Sequence, residues 1–362
     1  MKKSFLFMTF ALMALHAMGA DPKFWISCPS MVADGKTVTY LSVYQTDSDD
    51  SQYWIFQVEI QLPKGIHIAQ KTEGGMDVND ASLNESRFGE LPHTLGVNMP
   101  DSTTLKAICV NKSDKETYRN GDSNGNKVEE LFRVGLIADE DMTNGNHVIT
   151  LSKAIACDTD VRGFRQEDTP TAVMKVTGGQ DAEIIYTLGA EGLGTLILPF
   201  NAALPDDLYA YVCTGLEGNV VTTQYLDSIP ANTPVLIQGA PGTYTFRGAV
   251  TATETSYTDG LLTGVFRATE IEDGYVFSIQ DDRVAFYAVD GDDPTTIPAN
   301  HCYLSVPYNS DVLNVEMEDP TGITSVGHIS HSGQVYDLTG KRTTKDTKGI
   351  VIVNGKKMAL TQ

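Results

Sequence analysis

The stretch YWIFQVEIQL, residues 53–62, alternates between two sets of side chains without a break. One face carries Trp54, Phe56, Val58, Ile60 and Leu62, and the other carries Tyr53, Ile55, Gln57, Glu59 and Gln61. A period of two is typical of a β-strand with one buried face. The PKG at 63–65 is typical of a turn, so the sequence predicts a half-buried strand that ends there.

Similar patterns recur on both sides of this strand. We predict strands at TVTYLSVY (37–44), as a partner of 53–62, at LFRVGLIA (131–138), where Phe132, Val134 and Leu136 alternate, and at HVITLSKAI (147–155). No sustained 3.6-residue apolar period occurs between residues 21 and 178. The pattern favours a β-sandwich over 21–178.

Two polar stretches interrupt this half. Residues 70–104 and 111–130 are rich in Gly, Asn, Asp and Glu. We expect both to be long loops, and a long loop inside a compact domain is either functional or mobile.

The second half begins after a predicted boundary at VTGGQDAE (176–183). Short strand patterns punctuated by Gly and Pro follow at even spacing, which indicates a second all-β domain over 181–318. SIPANTPVLIQ (228–238) and TIPANHCYLSV (296–306) share IPAN followed by a strand. We predict that these are two equivalent entries from a turn into a strand.

The chain ends in a small unit, 319–362. VYDL is a predicted strand, and IVIV-NG-KKMAL is a hairpin pattern in which Asn354–Gly355 supplies a type I′ turn. Residues 341–357 contain six basic residues and one acidic residue, although the whole chain has a formal charge of −21. A unit this small has little core, so we expect it to dock or to be recognised by a receptor. The fold class predicted for the whole chain is therefore all-β, with two sandwich-like domains and a C-terminal hairpin unit.

The motifs GITSV, GQVYDLTGKR and KGIVIVNGKKMAL resemble the type IX secretion sorting domain of exported Bacteroidetes proteins. The residues that match its pattern are Tyr336, Asp337, Gly340, Gly349, Asn354 and Gly355. Val351 stands where that family often has Tyr, and the chain ends in Thr-Gln instead of a basic residue. The resemblance implies a secretion machinery as partner, and segments of this kind are sometimes cleaved.

Two weaker resemblances concern the other domains. WIFQVEIQLPKGI, residues 54–66, is similar to a cohesin or a carbohydrate-binding sandwich. GTLILPFNAALPDDLYAYVCT and the two IPAN segments resemble a β module of Bacteroidetes surface proteins. Neither resemblance implies an active site.

The first twenty residues are typical of a signal peptide. Lys2 and Lys3 precede an apolar run at 5–15 that is too short to span a bilayer, and small residues follow at 17–20. No later apolar run approaches the length of a membrane helix, so we expect no membrane span after cleavage. The excess of 47 acidic over 26 basic residues disfavours nucleic acid as a partner. We predict a secreted or outer-surface protein.

The five cysteines indicate no metal site, because they are widely spaced and lack a CxxC motif. Cys28, Cys109 and Cys157 lie in one predicted domain, so one disulfide among them and buried free thiols are both open alternatives.

Two loops have the chemistry of functional sites. GDSNG (121–125) matches the nucleophile elbow G-x-S-x-G, but it lacks the flanking strand and helix that the elbow needs. Asp122 and Asn124 in that loop, and Asp290 and Asp292 in DGDD, supply oxygen ligands for Ca²⁺. The first loop has no Glu at its twelfth position, so we expect solvated turns there and name Ca²⁺ only as the alternative. No other cofactor is predicted.

Trp25 is the candidate ligand-binding residue, as a platform for stacking a sugar ring. Trp54 lies on the apolar face of its strand, so we expect it to pack in the core. We predict a non-catalytic binding or adhesion protein with an extracellular glycan or protein ligand. A secreted hydrolase or accessory module acting on glycans, and a structural component of the cell envelope, are the alternatives.

Overall fold

The structure is a computed structural model. It describes residues 22–46, 52–111, 116–119, 127–280, 283–289 and 291–317, and the strand residues 323–326, 335–336, 342–343, 349–353 and 356–360. The chain divides into two compact units, one of residues 1–182 with 249–253 and the other of residues 183–248 with 254–362. No helix in the described ranges has the length and apolarity needed to cross a membrane.

The first unit is built almost entirely of strands, as the sequence predicts. Its one described helix is a single turn, α1 (Glu85–Phe88), capped by the Asn84 side chain, which accepts a hydrogen bond from the Ser86 N–H. Its strands are β1 (Lys23–Ser27), β2 (Met31–Val32), β3 (Thr39–Thr46), β4 (Tyr53–Gln61), β5 (Ile66–Ile68), β6 (Gln70–Glu73), β7 (Met76–Asn79), β8 (Ala81–Leu83), β9 (His93–Asn98), β10 (Thr104–Asn111), β11 (Glu130–Ala138), β12 (Gly145–Asp158), β13 (Gly163–Arg165) and β14 (Thr171–Thr177).

These strands form two sheets that enclose one core. A five-stranded sheet has the order β1-β3-β11-β5, with β8 also paired to β11. A seven-stranded sheet has the order β2-β14-β12-β4-β10-β9, with β13 paired to β12. Phe56 of one sheet stacks on Phe132 of the other, with ring centroids 5.5 Å apart, and both side chains are buried. The first unit is thus a β-sandwich.

The decisive strand lies at the centre of the seven-stranded sheet, although its predicted partner is wrong. β4 pairs with β10 and β12, whereas β3 belongs to the other sheet. Alternation holds from Phe56 to Ile60, but Tyr53 is buried and Trp54 is partly exposed. The register shifts between Cys157 and Asp158 on the neighbouring strand, which breaks the alternation at this end.

The prediction of a long loop at 70–104 is also wrong. This stretch contains the hairpin of β6 and β7, the short strand β8, α1 and β9. β8 pairs with the buried strand β11, and β9 pairs with the buried strand β10. Because β8 and β9 lie at outer positions of their sheets, they accommodate polar residues. In the second polar stretch, residues 112–115 and 120–126 lie outside the described ranges.

The second unit contains the predicted series of short strands. They are β15 (Ala182–Leu188), β16 (Leu193–Leu196), β17 (Ala202–Ala203), β18 (Leu208–Glu217), β19 (Val220–Leu226), β20 (Ser228–Ile229), β21 (Val235–Gly239), β22 (Gly242–Gly248), β23 (Ser256–Asp259), β24 (Leu262–Val265), β25 (Thr269–Ile271), β26 (Tyr275–Gln280), β27 (Arg283–Ala288), β28 (Thr295–Ile297), β29 (His301–Leu304) and β30 (Val312–Glu316). Ten of them form a sheet in the order β16-β21-β18-β19-β30-β27-β26-β29-β24-β23.

This long sheet consists of two copies of one arrangement. β16, β21, β18 and β19 on one side of β30 correspond in order and pairing to β24, β29, β26 and β27 on the other. In each copy a short pair, β17 with β20 or β25 with β28, precedes the IPAN turn. Asn232 and Asn300 adopt left-handed conformations with φ of 61° and 63°, so the two IPAN segments are equivalent turns.

The sheet also curls back on itself. The Thr195 hydroxyl on β16 lies 3.0 Å from the backbone nitrogen of Cys302 on β29 and 3.3 Å from its carbonyl oxygen. The Ile197 N–H donates to the Asn300 carbonyl at 3.1 Å. Both contacts join the first copy to the second, although β16 and β29 are not paired by a regular ladder of backbone hydrogen bonds.

The closing segment forms its own small sheet. Its strands are β31 (Ile323–Val326), β32 (Val335–Tyr336), β33 (Arg342–Thr343), β34 (Gly349–Val353) and β35 (Lys356–Leu360), in the order β31-β35-β34-β32-β33. β34 and β35 are antiparallel neighbours, as the hairpin pattern predicts, and the turn residues Asn354 and Gly355 lie outside the described ranges.

All five cysteines are free and buried. Burial raises the pKa of the Cys28 thiol to about 11 and that of Cys213 to about 12. Thiols of this kind behave as small apolar core residues and not as nucleophiles.

Candidate binding faces of the first unit

The structure places few of the predicted site residues together. Trp25 lies on β1, partly exposed. Asp292 is in an exposed turn, whereas Asp122, Asn124 and Asp290 lie outside the described ranges, as do Asp337 and Gly340 of the closing segment. Tyr336 is in β32 and Gly349 in β34. The described residues contain no group of three His, Cys, Asp or Glu side chains suited to hold a metal ion.

The seven-stranded sheet has one face turned away from the core, which we call the cationic face. Because β4, β10 and β12 are in antiparallel register, their outward side chains form rows across the sheet. One row consists of Lys153, Glu59 and Lys106, and the next of Ile155, Gln57 and Ile108. Local sequence does not reveal these rows, since their members lie up to about a hundred positions apart.

Glu59 is the centre of this face. Its Oε1 lies 3.0 Å from the Lys106 Nζ and 3.4 Å from the Lys153 Nζ, and it accepts a hydrogen bond from the Gln57 amide at 3.0 Å. Burial opposes the ionisation of Glu59, but the two lysines outweigh it and lower the pKa of this carboxyl. Two ammonium groups are therefore held in place by one carboxylate, and one positive charge remains in excess.

Aliphatic side chains border the charged row. Ile55, Ile108 and Ile155 are partly exposed, and Val110 is 40% exposed. A second exposed pair consists of Val148 on β12 and Val173 on β14, which are register partners. Val148 is 39% exposed and Val173 is 47% exposed. Scattered exposed apolar residues are normal, but here each set lies on adjacent strands of the same sheet.

The edges of the cationic face add positive charge. Arg165 on β13 pairs in register with Ile155, and Lys175 on β14 pairs with Asn146. Both side chains are exposed. Two basic residues contact Glu59, and two more lie on the neighbouring strands β13 and β14, on a chain that is strongly acidic overall.

One end of the sandwich is organised around Arg87, whose side chain is fully buried. Its Nε donates to the Arg119 carbonyl at 2.7 Å, and its Nη1 lies 3.1 Å from the Gln45 carbonyl and 3.3 Å from that of Glu129. The guanidinium lies 5.3 Å from the centre of the Tyr118 ring. These contacts join three chain segments that are far apart in sequence.

His93 lies in the same aromatic end of the core. Its Nε2 is 2.9 Å from the Trp54 carbonyl, and its ring packs against Phe88 and Tyr118. Its Nδ1 is buried, with no hydrogen-bond partner among the described residues. Burial lowers the pKa of His93 below its ordinary value of 6.5, while the Trp54 carbonyl and the charge of Glu116 act in the opposite direction.

We expect this histidine to make the first unit less stable in mild acid. Because the folded-state pKa is lowered, the unfolded chain binds more protons below pH 6.5, so the free energy of unfolding falls as the pH decreases from 7 towards 5. Urea unfolding followed by tryptophan fluorescence measures this slope. The variant His93→Gln should show a smaller slope than the wild type, and an equal slope would contradict the assignment.

The outer face of the five-stranded sheet differs in chemistry, and we call it the aromatic face. Trp25 on β1 and Tyr44 on β3 are register partners, and their rings stack with centroids 5.3 Å apart and planes 7° apart. Both rings are partly exposed. The predicted platform residue is therefore at the surface, beside a second aromatic ring that only the pairing of β1 with β3 reveals.

No protein-family model matches the chain, and no curated protein matches it significantly. Several solved structures that are similar to it are cohesin modules, the family that residues 54–66 resemble. A cohesin from a Clostridium perfringens family 33 glycoside hydrolase is 10% identical, with a TM-score of 0.28, and the match covers 43% of this chain and 96% of that one.

Two further structures show a similar level of likeness. A type I cohesin–dockerin complex from Clostridium thermocellum is 10% identical, with a TM-score of 0.31 over 45% of this chain and 100% of that chain. A non-cellulosomal cohesin from Archaeoglobus fulgidus is 14% identical, with a TM-score of 0.28 over 43% of this chain and 91% of that chain. A likeness this distant concerns the fold only.

Proposed function

We propose that this chain is a non-catalytic, exported binding protein whose first unit docks an acidic protein partner on the cationic face. The observation that supports it most is the row Lys153–Glu59–Lys106 beside the row Ile155–Gln57–Ile108 on the outward surface of one sheet. Partly exposed aliphatic side chains next to ordered charges have the composition of a protein–protein interface.

The charge of this face defines the chemistry of the partner. Lys106, Lys153, Arg165 and Lys175 outnumber Glu59, whereas the whole chain carries −21. An acidic partner is repelled by most of the molecule and attracted at this face, so electrostatics orient the encounter. Lys106 and Lys153 are already held by Glu59, which reduces the side-chain entropy lost on binding.

The double variant Lys106→Glu with Lys153→Glu tests the docking face. We expect retention of the partner to fall at least about tenfold, because like charges then oppose the acidic partner and Glu59 loses its counterions. Purified full-length wild type and variant are immobilised, exposed to extracellular extract of the source cells and compared by quantitative mass spectrometry. Retention on the wild type should also decrease with added salt.

A matched control carries two reversals elsewhere on the first unit, Lys23→Glu with Lys71→Glu. It changes the net charge by the same amount, so it should retain the partner. Thermal unfolding verifies that both variants fold. Equal loss of retention in the control would show a general charge effect, and equal retention by all three proteins would refute the docking face.

Export and surface localisation are part of the same proposal. They rest on the leader at residues 1–20 and on the basic closing segment with its five-stranded sheet. Mass spectrometry of the protein from the growth medium should show an N-terminus near Asp21, and intracellular retention of the intact chain would refute export. The hydrolase and the structural component of the envelope stay as alternative predictions.

A further inference from the structure

The aromatic face contains a row of three side chains that crosses three strands. Trp25, Tyr44 and Glu130 are successive register partners on β1, β3 and β11. Strands in a sheet are about 4.8 Å apart, so the row extends roughly 10 Å. The stacked Trp25 and Tyr44 rings form its apolar part, and Glu130 forms its polar end.

Hydrogen bonds fix the polar end in place. The Ser42 hydroxyl donates to Glu130 Oε2 at 2.9 Å, and the Asn84 amide donates to Oε1 at 3.3 Å. An ionised carboxylate accepts about four hydrogen bonds, and these contacts use two of them. Glu130 is partly exposed, so its remaining acceptor positions are available to a ligand.

A second polar group lies along the same face. The Tyr40 hydroxyl donates to Asp80 Oδ2 at 2.7 Å, and the Arg133 guanidinium lies 4.8 Å from the centre of the Tyr40 ring. Gly135, the register partner of Tyr40, leaves room for Asp80, because a Cβ there would come within 2.9 Å of Oδ2. Aromatic rings and oriented donors and acceptors therefore recur along β3, with the Ser42–Arg133 row between the Tyr44 row and the Tyr40 row.

The two outer faces of the sandwich differ in charge. Around Tyr40 and Glu130, the basic residues Arg133 and Lys71 lie among the acidic residues Glu130, Asp80 and Glu73, so this region has no excess of positive charge that would attract an anion. The cationic face has an excess of positive charge and exposed Ile and Val side chains. A surface of aromatic rings and hydrogen-bonding groups without an excess of positive charge fits a ligand that is uncharged and rich in hydroxyls.

We propose that the aromatic face is a second, separate binding site, for a neutral oligosaccharide. A sugar ring has an apolar C–H face that packs on an aromatic ring, and its hydroxyls donate to carboxylates and accept from amides and guanidinium groups. Trp25 is the stacking residue, and Glu130 and Asn84 are the hydrogen-bonding residues. This site does not depend on the protein-binding role of the opposite face.

The tryptophans provide a direct measurement. The chain has two, Trp25 and Trp54, so the variant Trp54→Phe leaves Trp25 as the sole tryptophan emitter. Full-length Trp54→Phe is titrated with cellohexaose, xylohexaose, mannohexaose and laminarihexaose, and with the anionic hexamer of galacturonic acid. We expect saturable change of the Trp25 emission with at least one neutral hexasaccharide. No change with any of the four, or a change with the anionic hexamer alone, would overturn the proposal.

Variants locate the site by isothermal titration with the hexasaccharide that binds. Trp25→Ala should weaken binding about tenfold, because it removes the stacking ring. Glu130→Gln keeps the shape of the side chain but removes its charge and two acceptor positions, and it should weaken binding severalfold. Lys106→Glu with Lys153→Glu on the opposite face should bind as the wild type does. Wild-type affinity in Trp25→Ala would overturn the assignment.

Discussion

Replacement of Arg87 by leucine should lower the free energy of unfolding of the first unit by about 4 kcal/mol. The buried guanidinium donates to the carbonyls of Gln45, Arg119 and Glu129, and it lies against the Tyr118 ring. Leucine fills part of the volume but donates nothing, so carbonyl oxygens inside the protein lose a charged donor.

Tryptophan fluorescence isolates this effect, since Trp25 and Trp54 both belong to the first unit. Urea unfolding of the full chain therefore reports the stability of the sandwich. Arg133→Leu serves as the control, because that arginine is exposed and stacks on Tyr40, a contact worth about 0.5–1 kcal/mol. If Arg87→Leu lost no more stability than Arg133→Leu, the anchoring role would be wrong.

The second large effect is expected for Thr195→Val, which should lower the free energy of unfolding of the second unit by about 3 kcal/mol. Valine has nearly the same shape, but it cannot bond the backbone nitrogen and carbonyl of Cys302, and Thr195 is only 5% exposed. A buried N–H and a buried carbonyl both lose a partner, and the contact that holds the curled sheet together is weakened.

Amide hydrogen exchange tests this directly. The Cys302 amide should exchange much faster in Thr195→Val than in the wild type. Thr263→Val is the matched control: Thr263 is equally buried, but its hydroxyl bonds the side chains of Thr258 and Ser305 and no backbone group. Unchanged protection of Cys302 in Thr195→Val would show that other contacts close the sheet.

The sequence was sufficient for the all-β class because alternation is a local property. Residues 56–60 alternate between Phe56, Val58 and Ile60 inside and Gln57 and Glu59 outside, as the structure confirms. The partner of that strand was not predictable in the same way. β4 pairs with β10 and β12, tens of residues away, and periodicity contains no information about which strands meet.

Polar composition was the least reliable guide. The stretch 70–104 reads as a loop, yet it contains four strands and a helical turn, because edge strands need few apolar residues. Arg87 illustrates the same limit. An arginine between Ser86 and Phe88 is an unremarkable surface pattern, and only the fold shows that it is buried.

The binding faces depend on pairing even more strongly. Trp25 was a candidate from the sequence because it is one of two tryptophans, but its stacking partner Tyr44 is recognisable only once β1 and β3 are paired. Glu59 is one of 47 acidic residues, and its two lysine neighbours come from other strands. The charged and aromatic residues of the sequence are therefore a long list of candidate binding residues. Strand register shows which of them lie side by side on one face.

The central position of β30 has a consequence for biosynthesis. This strand pairs in parallel with β19 of the first copy and antiparallel with β27 of the second, so it is the seam of the ten-stranded sheet. A ribosome makes β30 after all nine other strands of that sheet. The ladder through this seam therefore closes only after residue 316 has left the ribosome, whereas the contacts between β16 and β29 involve residues that are made earlier.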